Sequence, residues 1–118
     1  MNAIWVDEMI SDAVLLLSKW RGGRAKLWEY TITHTKLTLR VESTSMSGNL
    51  HIVCGGCKHL RGPFVWEDSD FVVRRLPGEG GGIILADEKG EFELHCSVVS
   101  VEENVEPVYS PNMGIATA

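Results

Sequence analysis

The chain has 118 residues, with 11 Lys and Arg against 16 Asp and Glu, a formal net charge of −5. Apolar residues make up 44% and charged residues 23%, which is ordinary for a globular protein and excludes disorder, collagen and coiled coil. The acidic balance speaks against a general nucleic-acid binder. At this length folding hides roughly two-thirds of the unfolded surface, so a core forms without staples.

The first element reads as a helix. Val6, Met9, Ile10, Ala13, Val14, Leu16, Leu17 and Trp20 recur at three- and four-residue spacing. Asp7 and Glu8 stand near its start, Lys19 and Arg21 at its end, and Gly22-Gly23 supplies the stop. The wide stripe predicts a helix lying on a sheet. Its polar face is acidic, which is unlike the Lys- and Arg-rich face of a membrane-surface helix. The run Ala13-Val14-Leu15-Leu16-Leu17 is far shorter than the roughly 20 residues that span a bilayer. Residues 1–8 lack the basic lead-in and apolar run of a signal peptide. These readings predict a soluble cytoplasmic protein with free thiols.

Beyond residue 23 the period becomes two. In Leu27–Thr33 the residues Trp28, Tyr30 and Ile32 share a face; in Lys36–Glu42 the apolar positions are Leu37, Leu39 and Val41. The apolar phase slips from even to odd, so a turn or bulge is expected near Thr33-His34-Thr35. Residues 43–49 read as a polar loop, and Leu50–Cys54 as a strand. Phe64-Val65-Trp66 precedes a turn at Glu67–Asp70, and Phe71–Leu76 is a further strand. Pro77–Gly82 reads as a flexible loop that lacks the Lys and helix N-terminus of a phosphate loop. Ile83–Asp87 and Phe92–Val98 form a hairpin about Glu88-Lys89-Gly90, and Val99, Val101 and Val105 continue extended.

One helix and six to seven short strands predict an α+β fold, the helix packed on a mostly antiparallel sheet. No connection is long enough for a crossover helix. A small barrel or sandwich with an N-terminal helix is the alternative. Residues 1–106 read as one folded unit and 107–118 as a mobile tail.

Two constellations carry chemistry. Cys54-Gly55-Gly56-Cys57 with His59 has the spacing to start a structural zinc site, with His51, His95 or Cys96 as the fourth ligand. One Cys-x-x-Cys without a second pair is a weak signal, so no cofactor is the expectation and zinc the alternative. Cys54 shares a face with Leu50 and Ile52, and Cys96 with Phe92 and Leu94, which makes both core thiols. The same four residues also fit a two-residue hairpin turn, with Cys54 and Cys57 paired across it. A thioredoxin-type site needs a helix after the motif, and none fits before Gly62-Pro63.

The second constellation is electrostatic. Residues 1–61 carry eight basic and five acidic side chains, net +3, and residues 62–118 carry −8. Lys19, Arg21, Arg24 and Lys26 cluster. Either the two halves solvate and face each other, or the cluster docks an acidic partner or a second copy. Trp66, beside Gly62-Pro63, is the tryptophan expected to be partly exposed and to join such a surface. His34, His51, His59 and His95 default to solvated positions. No catalytic constellation is legible. The sequence therefore predicts a non-enzymatic module that binds another protein or itself, with a metal- or thiol-dependent protein centred on the Cys54–Cys57 turn as the alternative.

Overall fold

A computed structural model describes residues 3–78 and 81–105. Helix α1 (Ala3–Lys19) is followed by β1 (Arg24–Thr31), a 3₁₀ turn (Ile32–His34), β2 (Lys36–Glu42), β3 (Leu50–Gly55), β4 (His59–Arg61) and β5 (Val65–Trp66). Then come β6 (Val72–Arg75), β7 (Ile83–Asp87), β8 (Phe92–Cys96) and β9 (Val98–Glu103). Among the described residues every strand pairing is antiparallel, and no crossover helix is present to allow otherwise. The strands divide into two sheets rather than one: a larger sheet in the order β5-β1-β2-β3-β9 and a smaller one in the order β4-β8-β7-β6. Among the described residues the architecture is thus an α+β sandwich with one helix, and no barrel closes. The expected tail at 107–118 lies outside the described residues, as does the middle of the Pro77–Gly82 loop.

The core lies between the sheets. Leu37, Leu39 and Val41 of β2 and Leu50, Ile52 and Cys54 of β3 face Ile83 and Leu85 of β7 and Leu94 and Cys96 of β8. Period-two alternation buries every second residue of β8, with Phe92, Leu94 and Cys96 inward and Glu93 and His95 outward. Ala13, Leu17 and Trp20 of α1 join the same cluster. The buried stripe of α1 is narrower than its apolar pattern: Val14 is exposed, and Leu15 is 74% exposed. The helix begins at Ala3, so Asp7 and Glu8 stand beyond its first turn.

The phase slip has two sources. The 3₁₀ turn ends at Thr35 in the left-handed region (φ 44°) and resets the phase before β2. A bulge between Leu27 and Glu29 also gives β1 an extra residue. Trp28 is that residue. It is turned to the outer face of the larger sheet, over Arg40 and His51, and parted from Tyr30, with which alternation had grouped it.

The segment Cys54–Cys57 is not a hairpin turn. Gly55 still pairs in β3, opposite Val98, and the chain then crosses from the larger sheet to the smaller one. Gly56 takes φ 65°, and a Cβ there would lie 2.6 Å from Ser97 Oγ. Only glycine meets both the positive φ and the close approach. The return crossing, from β8 to β9, runs alongside: Ser97 N–H donates to Gly55 O at 2.9 Å, and Lys58 N–H to His95 O at 2.9 Å.

Candidate functional site

The two sheets meet along two seams, and the sequence closes only one of them. On the first seam α1 packs on β9 and β6. Trp20 Nε1–H donates to Glu103 at 2.8 Å, Lys19 pairs with the same carboxylate at 2.7 Å, and Arg75 pairs with Asp7 at 2.6 Å. The Lys19 hydrogen bond, and after it the Trp20 one, hold Glu103 below the usual carboxylate range.

On the second seam the free edge of β1, beyond the short pairing with β5, faces the free edge of β4. Two chain crossings frame the gap. Gly55–Lys58 forms one end, tied by Cys57 N–H donating to Thr35 O at 3.0 Å. Gly62–Phe64 forms the other, tied by Leu27 N–H donating to Phe64 O at 2.7 Å. Gly62 is needed there: its φ is 143°, and a Cβ would meet Phe92 Cα at 2.9 Å.

Between these borders lies a cavity of about 400 Å³. Its floor is apolar, built by Leu27, Leu37 and Leu94. Its rim carries Tyr30, Leu60 and Phe64, respectively 47%, 43% and 74% exposed. Ile32 and Val65, also exposed, extend the apolar surface from the neighbouring turn and from β5. Single exposed apolar side chains are commonplace, whereas here three are bunched around one cavity. The polar part of the rim is Lys58 and His59. On the outer face of β4 and β8, His59 and His95 stand opposite each other with ring centroids 4.9 Å apart. His95 contacts Glu93 at 2.7 Å, and that hydrogen bond is the main reason the Glu93 carboxyl lies below its ordinary range.

The predicted thiol site takes a different form. Cys54 and Cys96 are both buried, one from each sheet, in the same core cluster. Cys57 is half-buried at the cavity wall, its thiol 3.4 Å from Cys54 O. All three cysteines are unbridged. The contact with Cys96 and burial push the Cys54 thiol up, and burial raises Cys57 to about 11. Protonated thiols are poor nucleophiles and poor metal ligands. His59 is exposed and turned to His95, away from Cys54, and among the described residues no three His, Cys, Asp or Glu side chains are grouped to hold a metal.

The basic cluster is engaged within the chain. Lys19 meets Glu103, Arg21 meets Asp70 at 2.8 Å, Arg24 meets Glu67 at 3.1 Å, and Lys26 meets Glu42 at 2.9 Å. Three of these four carboxylates belong to the acidic half. Trp66 is not at the surface: it is 8% exposed, stacked on Phe92, with Nε1–H donating to buried Asp87 at 2.6 Å. Asp87 also accepts from Asp70 N–H and Gly90 N–H. The cavity on the open seam went unread in the sequence because its walls come from four separate stretches of chain. The one available signal was Phe64, an aromatic directly after Gly62-Pro63.

No protein-family profile, no characterised protein and no solved structure matches the chain. No described helix is long and apolar enough to cross a membrane.

Proposed function

We propose that this chain is a non-enzymatic protein-interaction module whose binding site is the open seam. The observation that carries the reading is the exposed apolar rim of Tyr30, Leu60 and Phe64 around an apolar cavity. The volume suits one or two large apolar side chains of a partner. The free edges of β1 and β4 supply backbone donors and acceptors to an extended segment, the mode in which a strand is added to a sheet edge. Lys58 on the rim, with no ion pair among the described residues, favours a partner segment flanked by acidic residues. A second copy of this chain, acidic over its second half, is one such partner.

Two measurements test this. Light scattering behind size exclusion reads self-association, and selection from a displayed peptide library reads binding of a foreign segment. In either assay the association is expected to vanish in Phe64→Asp. A strict monomer at high concentration, together with no peptide that distinguishes the wild type from Phe64→Asp, overturns the proposal.

The thiol-dependent reading retains one observation, the Cys57 thiol at the cavity wall, 3.4 Å from Cys54 O. Elemental analysis of protein purified without chelator decides it. Stoichiometric zinc or iron, lost in Cys57→Ser, supports that reading, and metal-free protein ends its metal form.

A further inference from the structure

The outer face of the smaller sheet carries a pair of groups that the seam does not use. The register of β4 and β8 sets His59 opposite His95 and Arg61 opposite Glu93. Leu60 and Leu94 alternate with them, and Leu94 is buried in the core, so the two imidazoles share the outer face. Directly opposed residues of antiparallel strands hold their Cβ atoms about 4.5–5.5 Å apart. The rings keep that closeness, with centroids 4.9 Å apart.

The two rings differ in freedom. His95 is half-buried, and its Nε2 lies 2.7 Å from Glu93 Oε2. That contact is the main reason the Glu93 carboxyl stays ionised below its ordinary range. A carboxylate only accepts, so His95 Nε2 carries the proton and the lone pair of the neutral ring is on Nδ1. His59 is exposed, and among the described residues its side chain makes no hydrogen bond, so its ring turns without breaking one. Metal-ligating histidines characteristically donate their other ring N–H to a carboxylate, which fixes the tautomer and makes the ligating nitrogen more basic. His95 has that support already. Two nitrogens that are each about 2.0–2.1 Å from one zinc ion lie no more than about 4.2 Å from each other. Rings with centroids 4.9 Å apart reach that separation when His59 turns. The neighbouring cation Arg61 meets the same carboxylate through Oε1, at 3.5 Å, and Arg74 stands two strands away, beyond Ile84.

We propose that His59 and His95 together bind one transition-metal dication of the zinc, copper and nickel class, through His95 Nδ1 and one ring nitrogen of His59. Imidazole suits these ions, whereas Mg²⁺ and Ca²⁺ take oxygen ligands. Water fills the remaining positions, so the site is open, unlike a structural centre with four protein ligands. It owes nothing to Cys54 or Cys57. The ion clips the three-residue edge strand β4 to β8 and so stiffens one border of the open seam.

The test is a Zn²⁺ titration of the isotope-labelled full chain, followed through the histidine ring nitrogens, with Mg²⁺ as the control. Zn²⁺ is expected to shift the His59 and His95 signals together, saturably at micromolar concentration, and Mg²⁺ to shift neither. Protons compete for the same nitrogens, so binding should weaken from neutral pH to about pH 5. His59→Gln and His95→Asn should each abolish the saturable phase, and Glu93→Gln should weaken it about 10–100-fold. Zn²⁺ should raise the melting temperature of the wild type but not of His59→Gln, because a ligand held only by the folded state stabilises it. Cys57→Ser and Phe64→Asp are expected to bind Zn²⁺ as the wild type does. Movement of only one of the two ring signals, binding that survives in His59→Gln, or binding lost in Cys57→Ser overturns the proposal.

Discussion

The two seams of the sandwich present the same physical problem and solve it differently. On each, two antiparallel sheets end at an edge strand, and the apolar layer between them opens to water. On the β9/β6 seam α1 covers the opening with Ala13, Leu17 and Trp20 and locks it with ion pairs to Glu103 and Arg75. On the β1/β4 seam only two short crossings span the gap, and Tyr30, Leu60 and Phe64 stand in solvent. Burial is the dominant stabilising term in folding, so an unburied seam forgoes stability that the covered one collects. The difference teaches where to look for function: the covered seam explains why the chain folds, and the open one leaves apolar side chains in solvent that folding does not account for.

Mutations measure that difference. The largest effect is expected on the covered seam. Leu17→Ala removes a side chain that is 5% exposed within the core cluster and is expected to cost about 2–5 kcal/mol, read by urea unfolding. A loss below about 1 kcal/mol would mean that α1 covers the sheets without holding them. Next comes the pin beneath the open seam. Asp87→Ala strands the Trp66 indole N–H and two backbone N–H groups and is expected to cost about 2–4 kcal/mol by the same measurement. Asp87→Asn, which keeps one acceptor oxygen, should lose less.

Acid loosens the covered seam by a smaller amount. Glu103 is held below the usual carboxylate range in the folded state, so its contribution is present above the unfolded value and is lost as pH falls through and below that range. The melting temperature of the wild type should therefore fall more steeply between pH 5 and pH 3 than that of Glu103→Gln. Parallel curves would show that the Lys19 and Trp20 contacts with Glu103 are not coupled to folding. The smallest stability change is expected at the open seam itself. Phe64→Ser should leave stability within about 0.5 kcal/mol while abolishing association at the rim. If Phe64→Ser instead unfolds the chain, the two seams are not different in kind.

Much of the fold was legible in the residues. The helix, the hairpin at Glu88–Gly90, the inward faces of Cys54 and Cys96 and the slip near Thr33 all follow from local periods. The choice of two sheets over one was not legible, because the crossings at Gly56–Lys58 and Ser97 are only one to three residues long and leave no loop signal in the residues. Nor was the outward turn of Trp28, since one bulged residue reverses every facing before it relative to those after. The ion pairs that engage Lys19, Arg21 and Arg24 join residues more than forty positions apart, a relation that the charge of each half announces without naming partners. The candidate site was the least legible part, because it is assembled from edges, and an edge is defined by which strand is missing beside it.

The packing of α1 on β9 also bears on synthesis. A ribosome delivers the helix first and its docking strand about eighty residues later, roughly 4–16 s at ordinary elongation rates. Through that interval the face bearing Ala13, Leu17 and Trp20 has no completed sheet to settle on, while β1, β2 and β3 can already zip as neighbours. The nascent chain therefore emerges with an apolar helical stripe waiting for the strand that will cover it.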